Sequence, residues 1–185
     1  NNVQYFGRGP EENYIDRNHG TVVGVYKTTA DKMYFNYVRP QENGHRTDTR
    51  WIALSPDKGK GLVIVADSLV GFNTLRNSIE DFDSEEALPH PYQWSNFTPE
   101  EVANHNEKAA RNVLRRMHHV NDITPRDFVE VCVDMKQQGV GGYDSWGSRP
   151  EPIYQIPANR EYNWGFTLVP LRSGQANEAA KYDYR

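Results

Sequence analysis

The sequence predicts a mainly β fold, an antiparallel β-sandwich with one helix inserted at about 99–117. Three observations lead there. Short runs of alternating apolar and polar residues recur along the chain, each bounded by Gly, Pro, Asn or Asp. Aromatic residues reach 12%, with 11 Tyr and 4 Trp, a composition suited to pleated, half-buried surfaces. Only one stretch combines a helix start signal with helical spacing. At 185 residues the chain suits one domain and can bury a substantial core.

Taken in order, the expected strands are MYFNYVR (33–39), RWIALS (50–55), GLVIVAD (61–67), FVEVCVDM (128–135) and YNWGFTLVP (162–170). In the fourth, Val129, Val131, Val133 and Met135 share a face. In the last, Tyr162, Trp164, Phe166 and Leu168 share one face and Asn163, Gly165 and Thr167 the other, the pattern of a half-buried antiparallel strand. The helix begins at Thr98-Pro99-Glu100-Glu101, with a capping threonine, proline at the first helical position and glutamate three residues after the cap. Val102, Ala109, Val113, Met117 and Val120 then follow near helical spacing. With the acidic stretch 79–94 before it, the helix forms an elaboration over 79–124 inside a domain spanning 1–172. The polar segment 173–185 reads as a frayed tail.

Bulk properties exclude several functions. Charge is mixed, 21 basic against 25 acidic residues, net −4, which argues against a nucleic-acid or membrane surface. No apolar run approaches the roughly 20 residues a membrane helix needs. Cys132 is the single cysteine; it alternates into a strand and reads as a structural thiol, not a nucleophile. His118 and His119 are neighbours, about 100° apart on a helix, and cannot chelate one ion together. The run Glu80, Asp81, Asp83, Glu85, Glu86 lacks the glycine and final glutamate of a calcium loop and reads as solvated. Asn96-Phe97-Thr98 fits the glycosylation pattern, but Thr98 is needed as the helix cap. RNVLRR (111–116) reads as a solvated helix face. Retaining glycoside hydrolysis needs two carboxyl groups roughly 5–5.5 Å apart. Glu11, Glu12, Glu42, Asp134 and Asp144 are available, yet no spacing forces two of them together. Turn chemistry around Glu11-Glu12-Asn13 and Glu42-Asn43-Gly44 suggests loop locking at least as strongly.

One stretch stands apart. GVGGYDSWG (139–147) surrounds a tryptophan with four glycines in nine residues. An indole face stacks on the C–H face of a pyranose, and its N–H still reaches a hydroxyl. Tyr143, Asp144 and Ser145 flank Trp146 with a second ring, an acceptor and a donor. The residues alone leave two readings open: a ligand platform, or a plug folded inward onto the sandwich.

Four blocks resemble one family: YFGRGPEENYIDR (5–17), DKMYFNYVRPQENGHRTDTRW (31–51), PRDFVEVCVDMKQQGVGGYDSWG (125–147) and YNWGFTLVPL (162–171). Together, in order, they resemble the C-terminal small-chain domain (domain 5) of glycoside hydrolase family 2 β-galactosidases; the weakest stretch is about 73–124. The resemblance implies an antiparallel supersandwich like that of galactose mutarotase. It implies a terminal domain that follows a jelly roll, an immunoglobulin-like domain, a TIM barrel and a second immunoglobulin-like domain. The catalytic glutamates of the family lie in the barrel, one of them after an Asn. Asn106-Glu107 and Asn177-Glu178 fall on the expected helix and in the tail, so no catalytic residue is carried over.

What the family pattern does carry over is Trp146, as part of the platform for substrate and aglycone, with Tyr143, Asp144 and Ser145 beside it as substrate-binding candidates. Further implications are galactoside substrates, the other domains of the same polypeptide as partners, and a homo-oligomer. The Mg and Na or K ions of full-length family enzymes are expected elsewhere, with no metal or cofactor in this fragment. The family is soluble and bacterial in type, cytoplasmic or periplasmic. Tyr143 replaces the Asp that relatives often carry, which puts aglycone preference in question. The early strands of the family sandwich are expected to be missing, leaving an exposed edge. Two rival readings are a stand-alone carbohydrate-binding sandwich using Trp146 and Tyr143, and a mutarotase-like aldose epimerase. The epimerase needs a histidine and a carboxylate converging on a concave sheet face, and no histidine lies in an expected strand.

Overall fold

The computed structural model describes residues 2–38, 40–58, 60–82, 100, 120–144 and 146–172. Six strands, all antiparallel to their neighbours, form one sheet: β1 Asn2–Gly9, β2 Val22–Thr29, β3 Arg46–Ser55, β4 Gly61–Leu75, β5 Glu130–Asp134 and β6 Phe166–Leu171. The spatial order is β2-β1-β3-β4-β5, with β6 also on β4. The mainly β, antiparallel reading is what the structure shows, and every described strand belongs to this sheet. The α-helix lying wholly within the described residues, α1, is only Ala30–Met33. The expected helix over 99–117 lies outside the described residues apart from Glu100, as does the tail. No described helix is long and apolar enough to cross a membrane.

Strand β4 organises the sheet because it serves two partners in succession. Gly61–Ala66 pairs with β6 and Gly71–Leu75 with β5. Between them the ladder to β3 breaks: Thr49 faces Val70 while Trp51 faces Val65. A two-residue step on β3 thus opposes a five-residue step on β4, a bulge that ends one ladder and starts the next. The Asp67 N–H in the bulge is satisfied by the Gly165 carbonyl at 3.0 Å. Trp51, Ala53, Val63 and Leu171 form a core cluster on one face, with Phe6, Val65 and Val169 packed against it. The register places Tyr5, Ile52 and Ile64 on the opposite face. There Tyr5 meets Phe72 edge-on at 5.1 Å and Tyr26 at 5.4 Å.

Three sequence expectations are corrected. Residues 33–39 do not form a strand. The chain leaves α1 at Met33, and the Phe35 N–H goes to the Asn43 side chain at 2.8 Å instead of to a ladder; the aromatic run imitated a strand without a neighbour to pair with. Strands β1 and β2 were not expected, because inward positions of β1 are held by Gly7 and Gly9 as well as Val3 and Tyr5, which dilutes the period-two signal. In the last strand the ladder starts only at Phe166, and its burial is inverted. Pairing with β4 turns Val169 and Leu171 into the Trp51 cluster, while Trp164, Phe166 and Leu168 face outward, Leu168 at 55% exposure.

The chain divides into two compact units, Asn1–Phe35 with Asn43–Arg76 and Val129–Arg185, and Asn36–Glu42 with Asn77–Phe128. In the second, Asp81 is buried. Arg126 donates from Nε to both its oxygens, at 3.1 and 3.0 Å, and from Nη2 to Oδ1; Asn77 adds a bond at 3.2 Å. The Arg126 hydrogen bonds hold the Asp81 carboxyl below its usual pKa. Asp81 is therefore a paired structural carboxylate, not the solvated acid the sequence suggested. Asp83, Glu85 and Glu86 lie outside the described residues.

Candidate functional site

All the site residues described below belong to the first unit. After β5 ends at Asp134 the chain does not rejoin the sheet until Phe166. The first part of this connection holds Trp146, and it is gripped by two adjacent residues from the β1–β2 connection. The Asp16 carboxylate accepts the Val140 N–H at 3.1 Å and the Gly141 N–H at 2.9 Å. Arg17 Nη2 donates to the Gly141 carbonyl at 2.7 Å. Both backbone polar groups of Gly141 are thus held by neighbouring charged side chains, and such charge-assisted bonds are the strong kind.

The glycines follow from this grip. A Cβ on Gly139 would lie 2.6 Å from the Asp16 carboxylate and 2.9 Å from Pro150. Gly141 sits at φ +64°, where an L side chain is strained. The glycine run therefore builds a close-packed loop, not a floppy one.

The turn itself is closed by side chains. Asp144 Oδ1 accepts the Trp146 N–H at 2.8 Å and the Ser148 N–H at 3.3 Å. Ser148 Oγ accepts the Tyr143 N–H at 2.7 Å and the Asp144 N–H at 3.2 Å. Asp144 thus serves as a turn lock through that oxygen, a role sequence reasoning did not assign it. Ser148, missed entirely, is its counterpart. Tyr143 is 54% exposed and its hydroxyl donates to Asp16 at 3.4 Å. Trp146 is 93% exposed. The indole does not plug the fold; the locked turn presents it outward, face and N–H together. Ser145 lies outside the described residues.

A second set of polar residues holds the start of β3. Glu12 accepts the Gly44 N–H at 2.8 Å. Buried Asn13 donates to the Arg8 and Glu11 carbonyls and accepts from the Thr47 N–H and hydroxyl. Buried Arg46 donates to the Gly44 and Pro10 carbonyls, both at 2.8 Å. Glu12, Asn13 and Asn43 thus lock loops, as their turn context suggested.

His45, between them, is different. It is 1% exposed and stacked on Tyr14 at 5.5 Å, and its Nδ1 has no hydrogen-bond partner among the described residues. The nearest acid is Asp134 on β5, with Oδ2 at 3.8 Å. Burial first, and the Arg46 charge second, lower the His45 pKa to about 4. Burial raises that of Asp134, against a hydrogen bond from Gln137 at 3.1 Å. A histidine and a carboxylate therefore do meet at the sheet. The sequence could not show it, because His45 precedes a strand instead of lying in one.

Residues 1–168 match the family model described as β-galactosidase small chain. The chain belongs to the β-galactosidase small-chain family. It is 34% identical over 169 residues to a β-galactosidase of Priestia megaterium, covering 91% of this chain and 13% of that protein. It is 31% identical over 159 residues to β-galactosidase BgaC of Bifidobacterium adolescentis, covering 86% and 12%. Against a β-galactosidase of Streptococcus thermophilus it is 27% identical over 171 residues, covering 92% and 14%. The chain therefore spans about an eighth of the length of the curated relatives it matches. The small-chain match contains the Trp146 turn and also Asp16 and Arg17, which hold it from more than a hundred residues away.

Proposed function

We propose that this chain is the small-chain domain of a retaining β-galactosidase that hydrolyses terminal β-D-galactosides, and that it supplies Trp146 as an aromatic platform for substrate and aglycone. The observation that carries the platform role is the almost fully exposed indole on a turn locked by Asp144 and Ser148 and gripped by Asp16 and Arg17. A surface indole forgoes the stabilisation of burial until something covers it, and a rigid mount lowers the entropy lost when a sugar ring does. Tyr143, on the same turn, extends the apolar surface. In this reading the catalytic glutamates lie in a barrel outside this chain, and the chain alone does not hydrolyse galactosides. Among the described residues no group of three or more His, Cys, Asp or Glu side chains converges to hold a metal.

The test is Trp146→Ala in the complete enzyme. Loss of one stacking surface is expected to raise KM for galactosides and weaken acceptor use by about tenfold, with the unfolding midpoint nearly unchanged. Unaltered KM and acceptor parameters would refute the platform.

A further inference from the structure

We propose that Asp144 and Ser148, besides locking the turn, form a polar pair that reads two adjacent hydroxyls of the aglycone stacked on Trp146. The proposal rests on the platform reading and deepens it. It assigns the aglycone class: a neutral ring with vicinal hydroxyls, a second sugar, in preference to an apolar ring of the same size.

The hydrogen-bonding positions left over in the turn carry the inference. Asp144 uses Oδ1 for the Trp146 and Ser148 N–H groups, and its Oδ2 has no hydrogen-bond or ion-pair partner among the described residues. Ser148 Oγ accepts the Tyr143 and Asp144 N–H groups. A hydroxyl has two lone pairs and one proton. Both acceptor positions of Ser148 are therefore filled, and its proton has no acceptor among the described residues. The turn thus leaves one acceptor and one donor unused. Each residue binds the other's backbone N–H, so the unused acceptor and donor sit beside each other. The 2.8 Å bond from the Trp146 N–H fixes this carboxylate against the residue that presents the indole. Asp144 is exposed, and the space beside the indole is open: a Cβ on Gly147 would meet nothing within 4 Å beyond its two chain neighbours.

That arrangement suits a vicinal diol. With the C–H face of a sugar on the indole, one hydroxyl donates to Asp144 Oδ2, a charge-assisted bond. The adjacent hydroxyl accepts from Ser148. Both side chains are already held by their bonds to the turn, so little freedom is lost when they engage the ligand. An apolar ring stacks on the same indole, but where it displaces water from the pair it replaces none of the bonds that water made.

The test is Asp144→Asn in the complete enzyme, with galactosyl transfer measured to two acceptors of one ring size, D-glucose and cyclohexanol. Asparagine keeps one oxygen for the Trp146 and Ser148 N–H groups and places an NH₂ donor where the free acceptor was. The efficiency of transfer to D-glucose relative to cyclohexanol is expected to fall about tenfold, the loss of one charge-assisted hydrogen bond. Trp146→Ala, measured beside it, should lower transfer to both acceptors together. The platform is thus judged by both acceptors and the polar pair by their ratio. A loosened turn also lowers both together and cannot imitate a change in the ratio. A ratio in Asp144→Asn equal to that of the wild type overturns the proposal whatever Trp146→Ala does, and leaves Asp144 a turn lock only.

Discussion

His45 shows how one side chain ties packing to pH. Its pKa falls from the usual 6.5 to about 4 in the folded chain. The unfolded chain therefore binds more protons between those values, and stability rises with pH across that window. The stability is fully present above pH 6.5 and is lost as pH falls towards 4. Between pH 7 and 5 the loss from this group is about 2 kcal/mol. Asp134 acts in the opposite sense, because its folded pKa is raised and the native state takes up its proton first; it offsets part of the loss. The neighbouring Asp48 is paired with Arg8. Urea unfolding at pH 7 and pH 5 should show the drop in wild type and a much smaller one in His45→Asn. Equal slopes in both would show that another group dominates. The same residue marks a limit of sequence reading: neither its burial nor its meeting with Asp134, 89 positions away, leaves a local trace.

At the scale of elements, legibility followed locality. The cores of β3 and β4 could be read because Trp51, Ile52, Val63 and Ile64 supply strong β-formers in period. β6 was read in the correct alternation with the wrong side inward, since only its pairing with β4 decides which face meets Trp51. The Trp146 turn was conspicuous from its glycines, yet its holder was not, because Asp16 and Arg17 reach it from more than 120 residues away. That separation makes the grip testable apart from the turn. Asp16→Ala removes the acceptor of the Val140 and Gly141 N–H groups. It should cost about 1–2 kcal/mol and speed exchange of those two amides about tenfold. Amide exchange unchanged at both positions would mean the turn is held by Asp144 and Ser148 alone. In the complete enzyme the same variant should move KM in the direction of Trp146→Ala, because it loosens the mount and leaves the indole intact.

For the molecule as a whole, the sheet leaves apolar surface uncovered on two elements. β2 pairs only with β1 among the described strands. It is eight residues long, and Val22, at 69% exposure, Val23 and Val25 are all open to solvent. Natural edge strands are usually short, charged or covered, because a free ladder edge recruits another strand. Lys27 is the only charge on β2. On β6, Phe166 and Leu168 extend a second apolar stripe beside Trp164, which meets Phe166 at 5.7 Å. Both surfaces are suited to burial against further protein. In the isolated chain these surfaces can meet those of a second copy. The chain on its own should therefore self-associate, its weight-average sedimentation coefficient rising with concentration. Val25→Lys places a charge on the open edge, opposite Phe6 in the β1 register, and should shift the population towards monomer without lowering the unfolding midpoint by more than about 1 kcal/mol. A wild-type chain that sediments as one monomeric species at every concentration would show that the β2 edge and the β6 stripe do not drive association.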